Sequence, residues 1–253
     1  KKIMIQLVEK DENTTRTYVQ QLKQRCDEKD RKVDAIVADI LENVRNNGDK
    51  AVAEYTLKFD GSIPEQVEIT KEQMKELTKQ CDAYFLEALE RAAKNIHEFH
   101  SRQKQQSWLD TKDNGVILGQ RVRGLAKVGI YVPGGTAAYP SSVLMNAIPA
   151  KIAGVQEIVM VTPPGKDGKP NPDIMAAALV AGVDRVFLVG GAQAVAALAY
   201  GTETMPKVDK IVGPGNIFVA TAKKHLYGTV DIDMINKQKL VENAKSTIFA
   251  YQN

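Results

Sequence analysis

Apolar residues in roughly the first 110 positions recur at helical spacing between runs of Lys, Glu, Gln and Asp. This i, i+3, i+4, i+7 spacing is typical of amphipathic helices that bury one face. In the clearest case the apolar face comprises Val33, Ile36, Val37, Ile40, Leu41 and Val44. Gly48 is predicted to end that helix, and Thr70 with Gln73 has the spacing of a capping box. A short strand is predicted at 66–69 and a long helix from about 82 to about 105.

The pattern changes at Lys127, where short apolar strands begin to alternate with alanine-rich helices. Strands are predicted at 128–132, 157–161, 185–189, 210–212 and 230–235. Helices are predicted near 141–153, 172–181, 192–200 and 216–226. Because the strands are nearly continuous apolar runs, they are expected to form a parallel sheet buried on both faces. The predicted fold class is therefore α/β, a Rossmann-like parallel sheet covered by helices on both faces and preceded by a mainly helical N-terminal region. A hairpin or edge strand is predicted at 116–124.

Four of these strands end in turns rich in glycine and proline. The turns are PGG at 133–135, PPG at 163–165, GG at 190–191 and GPG at 213–215. In a parallel sheet they share the carboxyl edge, where ligands bind at the point at which the strand order reverses. A glycine turn that opens a helix is also a layout that binds anions. The edge therefore predicts a nucleotide or phosphate site, although glycine also makes tight connections without a ligand.

The usual sequence signatures of such sites are missing. The chain contains neither the G-x-G-x-x-G dinucleotide pattern nor a Walker A loop. Three polar residues near the turns remain as candidates for ligand contacts: Tyr131, Gln193 and Asn216. The alternatives are a core aromatic for Tyr131, a solvated first-turn residue for Gln193 and a helix cap for Asn216.

Composition narrows the class of protein. The net charge is only +3 and the lysines are spread along the chain, whereas nucleic-acid binders usually carry a clustered basic excess. No apolar run approaches the length that spans a membrane, and the N-terminal stretch does not resemble a signal peptide. The two cysteines, Cys26 and Cys81, are far apart and are predicted to be reduced thiols. We expect a cytoplasmic protein that binds neither nucleic acid nor membrane.

Candidates for metal binding and acid–base chemistry are few. His97 and His100 are three residues apart on a predicted helix, but they lack the H-E-x-x-H pattern and an evident further ligand. His225 is predicted to cap its helix or to be solvated. Asp231 and Asp233 share one side of a predicted strand, and we expect them to form an exposed edge face rather than a catalytic pair.

Several long segments resemble the histidinol dehydrogenase family. They include VRNNGDKAVAEYTLKFDG at 44–61, IYVPGG at 130–135, GGAQA at 190–194 and GPGN at 213–216. The resemblance runs from about residue 30 to Ile235. It implies oxidation of L-histidinol through the aldehyde to L-histidine, the last step of histidine biosynthesis, with two NAD molecules and a zinc ion. It also implies a homodimer whose subunits exchange terminal elements.

The resemblance assigns NAD contacts to Tyr131, Gln193 and Asn216, the residues already singled out at the carboxyl edge. It assigns no catalytic residue and no metal ligand to this chain. In the family, the strand that matches DIDMI is followed by a substrate-binding serine, zinc ligands and a Glu-His acid–base pair. Here that strand is followed by NKQKLVENAKSTIFAYQN, and no histidine follows His225.

We therefore expect a truncated or incomplete form of the enzyme, with residues omitted between Ile235 and Asn236 as one possibility. The alternative is a catalytically inactive dinucleotide-binding or interaction module. The predicted division is a mainly helical region at 1–126, part of a second, incomplete α/β domain, and an NAD-binding domain at 127–235. A tail at 236–253 is predicted to return to the first domain as a strand or helix.

Overall fold

The computed structural model describes residues 12–134 and 138–233, and of residues 12–30 it describes the backbone alone. The helices are α1 (Glu12–Asp60), α2 (Lys71–Thr78), α3 (Ala83–Ser101), α4 (Pro140–Ile152), α5 (Pro172–Ala181), α6 (Gly191–Tyr200) and α7 (Ile217–Leu226). The strands are β1 (Glu68–Ile69), β2 (Trp108–Thr111), β3 (Ile117–Gln120), β4 (Lys127–Tyr131), β5 (Glu157–Thr162), β6 (Arg185–Leu188), β7 (Lys210–Val212) and β8 (Asp231–Ile232). The predicted alternation after Lys127 and the α/β fold class are confirmed. The predicted tail and the end of the last predicted strand lie outside the described residues.

Six strands form one sheet in the order β1-β6-β5-β4-β7-β8. All neighbouring pairs are parallel except β1 with β6, which is antiparallel. The parallel part of the sheet starts with β4. The chain then adds β5 and β6 on one side of β4, and β7 and β8 on the other. The strand order therefore reverses between β4 and β7, which is where this class of sheet binds ligands.

The sheet is buried on both faces because alternate residues of each strand point in opposite directions. Tyr131 of β4 packs in the apolar cluster formed with α1, α6 and α7. Its neighbour Ile130 packs in the cluster formed with α2, α3, α4 and α5. The helices of the N-terminal region thus cover the same sheet that the later strands build.

Local sequence signals explain where several helices begin. Thr70 and Gln73 form the predicted capping box at the start of α2. Asn171 accepts hydrogen bonds from the first backbone N–H groups of α5, and Pro172 follows at the first helical position. In α1, the backbone at Gly48 is non-helical, with φ of 51° and ψ of −132°, which confirms the predicted helix end at that residue. The helix resumes directly afterwards.

The predicted strand at 66–69 is realised as β1, which extends the sheet beyond β6. The Arg185 guanidinium of β6 binds the Glu68 carboxylate of β1 through two nitrogens, at 2.6 and 2.8 Å. The hydrogen bonds that Arg185 donates to Glu68 raise the pKa of Arg185. A charge-assisted pair of this geometry fixes the register of the short edge strand.

A second, separate sheet is the antiparallel hairpin of β2 and β3. The prediction of a hairpin or edge strand at 116–124 is confirmed, whereas its partner strand β2 was not predicted. Both strands are exposed along their whole length, and large apolar side chains such as Leu109 and Ile117 are 81% and 63% exposed. Among the described helices, none combines the length and the apolar character needed to cross a bilayer.

Candidate functional site

The glycine turns meet at the carboxyl edge of the sheet, as their positions in the sequence predict. A Cβ atom added to Gly134 would lie 2.8 Å from the ring of Pro163, and one added to Gly190 would lie 2.7 Å from it. A Cβ atom on Gly213 would lie 2.2 Å from the backbone oxygen of Tyr131. These approaches join the turns after β4, β5, β6 and β7 into one surface, because the missing side chains let the backbones pack directly.

Tyr131 ends β4 with its side chain almost fully buried, at 4% exposure. Its hydroxyl oxygen accepts a hydrogen bond from the Gly191 backbone N–H at 3.0 Å, which couples β4 to the start of α6. Burial raises the pKa of the Tyr131 hydroxyl, and the nearby charge of Asp60 acts in the same direction. The hydroxyl therefore stays protonated at neutral pH and keeps a proton to donate. The alternative of a core aromatic describes the ring correctly, but the hydroxyl reaches the carboxyl edge of the sheet at Gly191.

Gln193 lies on the first turn of α6 and is 0% exposed, so the alternative of a solvated residue is wrong. Its amide folds back over Gly191, where an added Cβ atom would lie 2.5 Å from the Gln193 Oε1. Neither Oε1 nor Nε2 of Gln193 has a hydrogen-bond partner. A buried amide with both atoms unpaired is costly, and it stands beside the N–H group that binds Tyr131.

Asn216 precedes α7 and caps it. Its Oδ1 accepts hydrogen bonds from the Phe218 and Val219 backbone N–H groups, at 3.0 and 3.1 Å. The residue is exposed, so its amide nitrogen remains accessible from solvent. The capping alternative is therefore realised, and it orients the side chain at the same edge as Tyr131 and Gln193. Helix α7 begins there with its positive dipole end toward the edge.

A partly buried ion pair that was not predicted holds the turn before α7. The Lys223 Nζ donates to the Gly213 carbonyl oxygen at 2.6 Å and to the Asp233 carboxylate at 2.8 Å. The Gly213 N–H donates to the same carboxylate at 2.9 Å. Both polar groups of Gly213 are thus bound by one pair of charges. A signal existed, because Lys223 occupies an apolar-stripe position with Val219, Ala222 and Leu226.

Asp231 and Asp233 are both exposed and flank the buried Ile232, as predicted. Asp231 is open to solvent and pairs with Lys210 at 2.9 Å. The Asp233 side chain is only 23% exposed in its pair with Lys223, because it turns toward the Gly213 backbone.

The histidines have partners that the sequence did not reveal. His100 is buried and its Nδ1 lies 2.7 Å from the Gln103 side-chain oxygen. His225 lies 3.0 Å from the Asp34 carboxylate of α1 rather than capping its own helix, and that hydrogen bond lowers the pKa of Asp34. Within residues 12–134 and 138–233, no group of three His, Cys, Asp or Glu side chains is placed to hold a metal ion.

An open cleft lies away from this edge. It has a volume of about 550 Å³ and lies beside the break in α1, where Arg45 and Asn47 face Gly201 and Glu203. This is the end of α6 opposite Gln193, and none of the unpaired buried polar atoms of the described residues lies in it. The unpaired amide therefore favours the carboxyl edge as the ligand site.

Comparisons with known proteins agree with this architecture. A sequence model of the histidinol dehydrogenase family matches residues 23–238. Histidinol dehydrogenase from Clostridium acetobutylicum is 59% identical over 218 residues, which are 86% of this chain and 51% of that protein. Histidinol dehydrogenase from Bacillus anthracis is 50% identical over 231 residues, which are 91% of this chain and 54% of that protein.

A solved structure agrees as well. The crystal structure of histidinol dehydrogenase from Elizabethkingia anophelis superimposes with a TM-score of 0.76 at 36% identity, covering 80% of this chain and 47% of that one. The chain thus spans about half the length of the relatives it matches, as the missing motifs after Ile235 predict. From the family match and these identities, the chain belongs to the histidinol dehydrogenase family, a family of oxidoreductases.

Proposed function

We propose that this chain forms the NAD-binding part of a histidinol dehydrogenase, with residues 127–235 as the dinucleotide-binding domain. The observation that carries the proposal is the fully buried Gln193 amide, whose two polar atoms are unpaired at the edge where the strand order reverses. A ligand that both donates and accepts hydrogen bonds would satisfy it. Nicotinamide dinucleotides carry such groups on their riboses and their carboxamide.

The residues at the edge fit a dinucleotide. Tyr131 would donate its hydroxyl proton, Gln193 would pair through both amide atoms, and Asn216 would donate its amide N–H groups. The backbone N–H groups at the start of α7 would favour phosphate charge. A side chain at Gly215 would overlap Val219, so the turn packs closely against α7 where a ligand would approach. When bound, NAD supplies a hydride acceptor, and these side chains would orient it and exclude water.

The described residues do not fit the family's zinc ion, because they offer no set of three or more suitable donors. Zinc usually takes about four ligands. We therefore assign no step to zinc in this chain. In our proposal, substrate binding and proton transfer in the oxidation of L-histidinol through L-histidinal to L-histidine belong to parts of the whole protein beyond the described residues.

A second candidate function is a catalytically inactive dinucleotide-binding or interaction module. It is favoured by the same lack of a metal-binding cluster among the described residues. The two candidates differ in turnover. NADH formation from L-histidinol and NAD by the purified 253-residue chain would exclude the inactive module, whereas NAD binding without turnover would favour it.

Replacing Gln193 with leucine tests the NAD site. We expect NAD affinity to fall by about tenfold to a hundredfold, because two hydrogen bonds of about 1 kcal/mol each are lost. We also expect the melting temperature to stay the same or rise, because leucine removes a buried polar group that has no partner in the free protein. Isothermal titration with NAD and a thermal melt measure the two effects.

The matched control is Gln156→Leu. Gln156 is exposed and lies just before β5, at the amino edge of the same sheet. It should leave NAD affinity unchanged. Equal affinities for the wild type and Gln193→Leu would contradict the proposed site.

We further propose a cytoplasmic homodimer. The free thiol of Cys81 fits a reducing compartment. The exposed apolar side chains of the β2–β3 hairpin form a surface of a kind that is rare on monomeric soluble proteins. Light scattering should give about twice the chain mass of 27.8 kDa. The double variant Leu109→Glu with Ile117→Glu should lower that mass if the hairpin takes part, and a monodisperse wild-type monomer would contradict the proposal.

A further inference from the structure

Few buried side-chain polar atoms in the described part of the chain lack a hydrogen-bond partner. Within the described part of the chain, the buried side-chain atoms without a hydrogen-bond partner belong to three residues: Gln193 with both amide atoms, Asp60 with Oδ2, and Ser62 with Oγ. Folded proteins pair nearly all such atoms, so each exception calls for an explanation. Asp60 and Ser62 were not identified as candidates from the sequence.

Asp60 is the last residue of α1 and Ser62 follows that helix, at the carboxyl edge of the sheet. The segment that they begin runs on to Val67, whose carbonyl oxygen accepts a hydrogen bond from the Leu188 N–H at the end of β6, at 2.7 Å. Ser62 lies against the loop after β5, since a Cβ atom on Gly168 would be 3.6 Å from the Ser62 Oγ. The charge of Asp60 is felt by the Tyr131 hydroxyl, whose pKa it raises. Asp60 is therefore close enough to act on the Tyr131 hydroxyl, and Ser62 lies beside the loop after β5 at the same edge.

The Asp60 carboxylate is held at a cost to stability. Burial raises its pKa, which means that the folded state disfavours the charged form. As the pH rises from the ordinary pKa of an aspartate through the raised pKa of Asp60, the contribution of this group to stability falls. The cost is therefore fully present at neutral pH. A carboxylate that serves only the fold would be expected to have a partner for Oδ2. Unfavourable burial of a charged group is typical of ligand-binding sites.

The chemistry of the pair indicates which ligand group it takes. Carboxylate oxygens accept hydrogen bonds, so the partner must be a donor such as a hydroxyl. In Rossmann-type sheets, an acidic residue after the second strand binds the 2′-hydroxyl of the ribose. The second strand here is β5, which ends at Thr162 and is followed by Pro163 and Pro164. The usual position therefore offers no carboxylate.

We propose that Asp60, assisted by Ser62, binds a ribose of the dinucleotide and selects NAD over its 2′-phosphorylated form. The Asp60 carboxylate accepts hydrogen bonds from the ribose hydroxyls, and its negative charge repels a 2′-phosphate. The inference rests on the proposed NAD function and adds the specificity-determining residue, which comes from the N-terminal region rather than from the sheet.

Asp60→Asn tests this assignment, with Asp39→Asn on an exposed position of the same helix as the control. Isothermal titrations with NAD and with NADP are compared. For Asp60→Asn we expect about tenfold weaker NAD binding, the value of one hydrogen bond to a charged group. We also expect a smaller preference for NAD over NADP. The melting temperature should stay the same or rise, because a buried charge is removed. Ser62→Ala should weaken NAD binding less, and Asp39→Asn should change nothing.

The outcomes separate this inference from the function on which it rests. If Gln193→Leu weakens NAD binding but Asp60→Asn changes neither affinity nor preference, the inference is wrong and the NAD site stands. A marked loss of stability in Asp60→Asn would assign the residue a structural role and would also overturn the inference. If the unsubstituted chain binds no NAD, both proposals fall.

Discussion

Replacing Gly213 with alanine is expected to lower the free energy of unfolding by about 3–5 kcal/mol, at the upper end for single substitutions. Gly213 has a φ of 106°, a conformation that costs an L-residue about 1–3 kcal/mol. The added Cβ atom would also lie 2.2 Å from the Tyr131 backbone oxygen. Because this oxygen belongs to β4 itself, the clash can be relieved only by moving the turn away from the sheet. NAD binding should be lost with it.

Gly228→Ala is the matched control for Gly213→Ala. Gly228 also has a positive φ, 95°, but an added Cβ atom would meet nothing within 4 Å. It should cost only the backbone strain, about 1–3 kcal/mol. Chemical denaturation of the two variants measures the difference. Equal losses would contradict the close packing of the turn against β4.

Replacing Lys223 with methionine is expected to cost about 3 kcal/mol, at the lower end for breaking a buried ion pair because Asp233 is partly exposed. The Lys223 side chain is 4% exposed and that of Asp233 is 23% exposed. The Gly213 carbonyl oxygen loses its Lys223 donor, and Asp233 loses its counter-charge. Since the pair holds the turn that leads to Asn216, NAD affinity should fall together with stability.

Two further variants make the Lys223 prediction specific. Lys224→Met changes the next residue, which is 47% exposed and pairs with Asp34 at 3.5 Å, and it should cost less than about 1 kcal/mol. Adding Asp233→Asn to Lys223→Met should recover part of the loss, because no uncompensated charge remains. Urea denaturation reports all three. A loss for Lys223→Met no larger than for Lys224→Met would show that the ion pair does not hold the turn.

Much of the fold could be predicted because it depends on local pattern. The strands after Lys127 are apolar runs bounded by glycine and proline, and the caps at Thr70 and Asn171 are set by residues within three positions of them. The short strand β2 was missed because its residues are exposed throughout and lack the alternation by which a half-buried strand is recognised.

The site could be predicted only in part. The position of the glycine turns placed Tyr131, Gln193 and Asn216 at one edge, since parallel strands share their carboxyl ends. What depends on contacts between distant segments could not be read in the same way. Gln193 is buried by packing that the local sequence does not reveal. Asp60 of α1 acts on Tyr131, although the two residues are far apart in the chain. Lys223 could have been suspected, because a lysine on an apolar stripe needs a buried partner.

The proposed NAD site is tested most directly by an NMR titration of the ¹⁵N-labelled chain with NAD, following the side-chain amide signals of Gln193 and Asn216. If NAD binds at this edge, both signals and the Gly191 backbone amide shift and saturate together at one molar equivalent, while the Gln156 side-chain amide stays in place. Saturable shifts confined to other parts of the chain, or no shifts at millimolar NAD, would contradict the proposed site.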